Sequence, residues 1–401
     1  MRAVWYDRQG AADEVLVCGE LPTPEVGHSE VRVRLEASGV NPSDTYRRRG
    51  PPAMEYPRVV TNSDGAGVID QVGPGVPERW LGKRVWLYNG QRNGRWQGTA
   101  AEYIALSVDL VTELPDHVSF AEGATLGVPG MTAHRSVFVA GPVQGKTLLV
   151  TGGAGAVGHY AVQLATWAGA RVIATVSSAE KADRARAGGA AHVINYRNED
   201  VGARVLDITD GVGVDHIAEV DFGGNLAAAL RCLRVNGSIM IYATNGDREP
   251  RVPVRDLMQK NLTVYSMSLA GVPHPDRRRA QSNIAAWTAL PGRILSVAAR
   301  FPLYETAAAP QGGRARRQDW HRRRRAAALR ARSNSLQLLA RFSRRSKFEQ
   351  ATQAAGLMPG PAVSLANAES AHRSRSRPPT ATAGYAPEPW LESGRATHFQ
   401  R

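Results

Sequence analysis

Residues 146–170, KTLLVTGGAGAVGHYAVQLATWAGA, decide how the rest of the chain is read. Thr147 to Val150 is a short apolar run of good β-formers, as expected of a strand buried on both faces of a parallel sheet. Gly153, Gly155 and Gly158 follow in G-x-G-x-x-G spacing, with Gly152 in front of them. From Val157 to Ala168 the apolar residues Val157, Ala161, Leu164, Ala165 and Ala168 recur at helical intervals, and a second strand is expected at Ala170–Val176. Alone, such a glycine motif is a weak signal. Between a strand and a helix it marks a turn where backbone approaches a pyrophosphate, whose charge rests on the unpaired amides of the helix N-terminus. The stretch therefore predicts a bound dinucleotide, with Ala154, Gly155, Ala156 and Val157 forming its cradle.

Outward from this stretch the strand–helix alternation continues. Strands are expected at Arg171–Thr175, His192–Ile194, Asp215–Glu219, Ser238–Ala243 and Leu262–Ser266, with helices between them that include Ala179–Ala187 and Asn225–Leu233. Residues 126–268 thus read as a doubly wound parallel sheet, a Rossmann-type α/β domain. Residues 1–125 read differently. Short β-rich runs (Val31–Leu35, Val59–Val60, Gly67–Val72 beside a glycine bend, Arg84–Leu87, Ala101–Leu106) are punctuated by prolines, which argues a β-barrel-like domain. A helical segment, Phe120–Val139, links the two. Residues 269–309 read as a helix at Asp276–Leu290, a strand at Ile294–Ala298 and an amphipathic remnant.

Composition narrows the class. The two cysteines, Cys18 and Cys232, exclude a disulfide framework and a four-cysteine zinc site. With no charged-then-apolar leader and no apolar run of membrane-spanning length, a cytoplasmic location is expected. The net charge of +14 is uneven: residues 1–309 carry 32 Lys and Arg against 31 Asp and Glu, and residues 310–401 carry 18 against 5. The tail is rich in Arg, Ser, Pro and Ala without periodicity, a composition expected to be disordered. It admits two readings, a basic arm for RNA or the product of a frameshift. Read one base later, codons for Arg316–Arg324 permit Gly-Asp-Lys-Ile-Gly-Thr-Val-Val-Val, which ends in an apolar, strand-like run. The frameshift reading is favoured.

Six blocks in order, GVNPSDTYRRRG (39–50), SDGAGVIDQVG (63–73), GTAAEY (98–103), GVPGMTAHRSV (127–137), LLVTGGAGAVG (148–158) and AHVINY (191–196), resemble the medium-chain dehydrogenase/reductase superfamily. Within it they resemble the zinc-free quinone oxidoreductases of the zeta-crystallin type, over residues 1–309. The resemblance implies a GroES-like catalytic domain split around the Rossmann domain, with residues 269–309 returning to it. It also implies a homo-oligomer, a dimer or tetramer, and an NADPH-dependent reductase of quinones or related conjugated carbonyls. Zinc enzymes of this superfamily place Cys and His where Asn41 and Pro42 stand here, and His-Glu where Ser63-Asp64 stand, so no metal is expected.

For the cofactor, an NAD site places a carboxylate at the end of the second strand, on the ribose hydroxyl. Here that strand ends Val176-Ser177-Ser178 with Lys181 close by, which suits a 2′-phosphate and hence NADPH. The resemblance sets Tyr196 near the same phosphate and Thr132 near the nicotinamide. Asn225, Ala243 and Thr244 follow the fourth and fifth strands, where a doubly wound sheet presents its ligand loops. The resemblance puts Tyr46 and Asn41 in the catalytic cleft. Tyr46 has two readings, a ring that merely packs or one that also donates a hydrogen bond to a quinone oxygen. No nucleophile–base pair stands out, as expected where a cofactor carries the chemistry. The alternative function is an NADPH-binding protein that binds RNA through its basic tail.

Overall fold

The computed structural model describes residues 1–308 except Asn93, together with Gln337 and Leu338. The first half is antiparallel. In chain order it contains β1 (Arg2–Tyr6), α1 (Ala12–Val15), β2 (Val17–Glu20), β3 (Glu30–Gly39), α2 (Pro42–Arg49), β4 (Val59–Val60), β5 (Asp64–Val72), β6 (Arg84–Leu87), β7 (Tyr103–Ser107) and β8 (Val111–Glu113). They form a three-stranded sheet β2-β1-β4 and a five-stranded sheet β7-β3-β5-β6-β8, joined by a bridge between Ala3 and Ala101. In β3, Val31, Val33 and Leu35 alternate inward onto Ile69, Val85, Leu87, Ile104 and Leu106. Arg32 and Arg34 alternate outward, as a half-buried strand requires.

The expected glycine bend before Gly67 is not a bend. Strand β5 already begins at Asp64, and Gly65 and Gly67 lie inside it. A Cβ on Gly67 would sit 2.0 Å from the Arg34 carbonyl oxygen, so the glycine permits close strand crossing rather than a turn.

The linking segment breaks into α3 (Phe120–Gly123) and α4 (Gly127–Phe138). Next come β9 (Thr147–Val150), α5 (Ala156–Trp167), β10 (Arg171–Val176), α6 (Ala179–Ala187), β11 (His192–Asn195), α7 (Val201–Ile208), β12 (Val214–Glu219), α8 (Phe222–Cys232), β13 (Leu233–Ile241), α9 (Val254–Gln259) and β14 (Thr263–Ser266). The six strands pair in parallel in the order β11-β10-β9-β12-β13-β14. The order reverses between β9 and β12, and a doubly wound sheet opens its ligand crevice at that point. The fold is therefore α/β, a GroES-like barrel with a Rossmann-type domain.

Helix α10 (His274–Thr288) returns to the barrel, where Gln281 Nε2 donates to the Asp109 and Val111 carbonyls at 3.0 and 3.2 Å. Phe301 and Leu303 then pack with Ala3, Val4, Trp5, Leu21 and Val60. The strand expected at Ile294–Ala298 is absent. Gln163 of α5 holds the Ile294 backbone instead, accepting its N–H at 3.0 Å and donating to its carbonyl at 3.1 Å. The strand in this region is β15 (Phe301–Pro302), antiparallel to β16 (Gln337–Leu338). The expected disorder of residues 310–401, and the frameshift reading, lie outside the described residues but for those two positions.

One apolar core joins the halves. Ala37, Ala66, Trp86 and Tyr88 of the barrel side are continuous with Leu126, Met131 and Val137 around α4, with Leu148 and Val150 of β9, and with Trp287 of α10.

Candidate functional site

At the end of β9 the chain turns through Gly152, whose φ of +65° favours glycine. Gly153 lies against β10, where a Cβ would come within 2.7 Å of the Ala174 side chain. A Cβ on Gly158 would fall 2.2 Å from the Gly152 carbonyl oxygen. The first turn of α5 thus packs directly on the glycine turn. Gly155 is the N-cap of α5 and offers no side chain, so the opening amides have no side-chain acceptor. Ala154, Gly155, Ala156 and Val157 come together here. The backbone here is tight, carries no Cβ in the way, and leads into the uncapped N-terminus of a 12-residue helix, an arrangement able to take an anion.

Three further expected residues meet at the ends of β10 and β11. Lys181 Nζ donates to Ser177 Oγ at 2.8 Å, and Ser178 Oγ caps α6 by accepting the Lys181 amide at 3.3 Å. The Tyr196 amide bonds to the Val176 carbonyl at 3.1 Å, which brings its backbone to the residue before Ser177, and its ring is half exposed. The Lys181 ammonium therefore meets a hydroxyl where a dinucleotide's ribose end would lie.

The loops after β12 and β13 are also joined. The Phe222 amide donates to the Ala243 carbonyl at 3.2 Å and the Gly223 amide to Thr244 Oγ1 at 3.2 Å. Asn225 Nδ2 donates to Glu219 Oε1 at 2.8 Å. A cavity of about 290 Å³ opens beside them, lined by Thr151, Gly152, Thr175, Tyr196, Glu219 and Asn225 among others. Glu219 escaped the sequence reading. It is fully buried, its Oε1 also accepts from Thr151 Oγ1 at 3.0 Å and the Asp221 amide at 2.5 Å, and burial pushes its carboxyl up. The available signal was a carboxylate closing an apolar strand, His-Ile-Ala-Glu.

On the barrel side Asn41 is buried and its side chain is engaged. Its amide nitrogen Nδ2 donates to Asp64 Oδ2 at 2.7 Å, and it caps α2 in a capping box with Asp44. Asp44 accepts from the Asn41 backbone amide at 2.9 Å, from Ser63 Oγ at 2.8 Å and from the Arg92 guanidinium at 3.1 Å. Tyr46, one turn along α2, is half exposed, whereas Thr132 on α4 is buried. Asp64, Asp44 and Arg92 carry this side of the site, and sequence reasoning assigned none of them a role. Among the described residues no three His, Cys, Asp or Glu side chains gather into a group able to hold a metal ion. The buried histidines are placed elsewhere: His216 bonds Ser238 and the Ser136 carbonyl, and His134 bonds Asn283.

Two family models match the chain, the alcohol dehydrogenase GroES-like domain over residues 27–116 and the zinc-binding dehydrogenase over residues 156–285. A rat quinone oxidoreductase is 31% identical over 275 residues, covering 67% of this chain and 80% of the relative. The chain belongs to the medium-chain dehydrogenase/reductase superfamily. A Burkholderia 2-haloacrylate reductase is 33% identical over 325 residues, 77% of this chain and 94% of the relative. A mycobacterial protein solved in complex with NADPH superposes with a TM-score of 0.67 at 29% identity, covering 77% of this chain and 95% of that one. The chain is thus an oxidoreductase of this superfamily.

Proposed function

We propose that the protein is an NADPH-dependent, metal-independent reductase of quinones or related conjugated carbonyls. The observation that carries the cofactor assignment is the Lys181–Ser177 pair: an ammonium and hydroxyls at the end of β10 suit a 2′-phosphate, and a carboxylate there would repel it. NADPH, when bound, supplies the hydride. The residues of this chain supply place and surroundings. The glycine turn takes the pyrophosphate on backbone amides, Asn225, Ala243 and Thr244 shape the loops beside it, and Thr132 lies along the nicotinamide side. Tyr46 presents a half-exposed ring and hydroxyl to the acceptor, with Asn41 holding its helix in place. The acceptor class is supported by the names of the quinone oxidoreductase and 2-haloacrylate reductase relatives.

The test is anaerobic NADPH oxidation by the purified protein against a panel of quinones, enones and unsaturated acids. Turnover with at least one of them, unchanged by chelator, is the expected result. Failure with all of them, or zinc lost together with activity on dialysis against chelator, overturns the reading. The alternative, RNA binding by the basic tail, would show as salt-dependent binding that disappears when residues 310–401 are removed. No helix among the described residues is long and apolar enough to cross a membrane, which accords with the proposed cytoplasmic location. A homo-oligomer is part of the proposal, supported by the largely exposed edge strand β14.

A further inference from the structure

Asp64 is all but fully buried where the barrel meets α4, and a single oxygen of it serves both sides. Its Oδ2 accepts from Asn41 Nδ2 at 2.7 Å and from the Val128 amide, in the first turn of α4, at 2.8 Å. Asn41 opens the helix that bears Tyr46, and Thr132 lies one turn beyond Val128. One carboxyl oxygen therefore ties together the N-termini of two helices that flank the proposed site. The seam has no slack. A Cβ on Gly127 would lie 2.3 Å from Asp64 Oδ1, and a Cβ on Gly39 would lie 2.3 Å from the Ala124 carbonyl oxygen. We propose that Asp64 is a positioning residue, the joint that fixes the Tyr46 helix against the Thr132 helix; this rests on the reductase reading above.

The surroundings say in which form the joint works. Oδ1 is buried without a hydrogen-bond partner among the described residues. The charged group facing it from α2 is Asp44, of like sign. Arg92, the cation facing it, bonds to Asp44 instead, at 3.1 Å. From α5 the Tyr160 hydroxyl is neutral and paired with Thr125 at 2.7 Å. The N-terminus of α4 and the Asn41 bond favour the anion, but burial outweighs them and pushes the carboxyl up to about 8. At neutral pH the joint is uncharged. Because the folded value lies above the ordinary 3.8, the stability this gives is full below that value and is lost as pH rises through about 8.

The experiment compares the full chain with Asp64→Asn and Asp64→Ala, reading Val128 amide hydrogen exchange and NADPH-dependent turnover across pH. Asp64→Asn keeps the shape of the neutral acid and is expected to retain Val128 protection and kcat at neutral pH, while its stability to denaturant lacks the fall that the unaltered chain shows as pH rises from about 4 to about 8. Asp64→Ala leaves Asn41 and Val128 without their acceptor; Val128 should exchange about tenfold faster and kcat fall tenfold to about a hundredfold, with KM for NADPH unchanged. Unaltered Val128 exchange in Asp64→Ala, or an Asp64→Asn as impaired as Asp64→Ala, overturns the proposal. If Asp64→Ala does not fold, Asp64→Asn decides: Val128 protection kept with a stability that no longer falls between about pH 4 and 8 supports the joint, and Val128 protection lost, or stability falling as in the unaltered chain, refutes it. Should the unaltered chain reduce no acceptor, the reductase reading fails, and Val128 exchange still decides the joint.

Discussion

The two sides of the proposed site use their polar groups in opposite ways. On the cofactor side the groups are left open: helix amides without a side-chain cap, a lysine resting on a serine hydroxyl, a half-exposed tyrosine, a cavity beside them. On the barrel side Asn41, Asp44, Ser63, Asp64 and Arg92 are buried and bond to one another, while Tyr46 of α2 is half exposed. The first arrangement waits for a charged ligand to complete it. The second, but for Asp64 Oδ1, already holds its own partners and serves as a rigid mount. Substitutions on the first side should therefore change binding, and those on the second should change stability and turnover.

The largest effect is expected at the cradle. Gly158→Val places a side chain against the Gly152 carbonyl, which should cost about 3 kcal/mol of stability and abolish measurable NADPH binding in a fluorescence titration. On the barrel side, Asn41→Ala should lower stability to denaturant by about 1–3 kcal/mol, because Asp64 loses a donor and α2 its cap, while NADPH affinity holds. A matching loss of NADPH affinity in that variant would erase the distinction between the two sides. Lys181→Ala sharpens it: NADPH should weaken by about 1.5 kcal/mol, roughly tenfold, with NADH unchanged and the melting temperature steady. Equal weakening of both cofactors would remove the 2′-phosphate assignment.

The smallest effect tests a polar group that belongs to neither side. His159 on α5 is buried with both ring nitrogens unpartnered among the described residues, and burial lowers it to about 4. A base depressed from the ordinary 6.5 contributes stability that is present above that value and lost as pH falls towards about 4. His159→Leu should flatten part of that acid limb and raise the melting temperature by a few degrees, about 1 kcal/mol, leaving the rest to His134, which burial also lowers to about 4. A variant no more stable at acid pH would show that the unpartnered ring carries no penalty.

What could be read beforehand follows the same division. The glycine turn was legible because its requirements are local: each glycine answers to a neighbour within a few residues or to the next strand. That Ser177 and Lys181 lie together at the end of β10 was legible because a strand end and the helix that follows it are close in sequence, whereas Tyr196 was implied only by the family resemblance. The barrel mount was not. Asp64 reaches Val128 across 64 residues and Arg92 reaches Asp44 across 48, and nothing in the local sequence of either announces the partner. Gly65 and Gly67 looked like a bend because glycine usually signals one, whereas here a neighbouring strand demanded them. Ile294–Ala298 had the apolar content of a strand, and a glutamine 131 residues upstream fixed its backbone otherwise.

Phe301 and Leu303 pack onto β1 and its neighbours, so the first strand to leave the ribosome waits for almost the last described residues before its core closes. At about 5–20 residues per second, that interval is tens of seconds. The parallel sheet, whose strands span residues 147–266, is finished earlier. During synthesis the barrel's apolar inner face around Ala3, Val4 and Trp5 is thus left uncovered while the domain inserted into it is already folding.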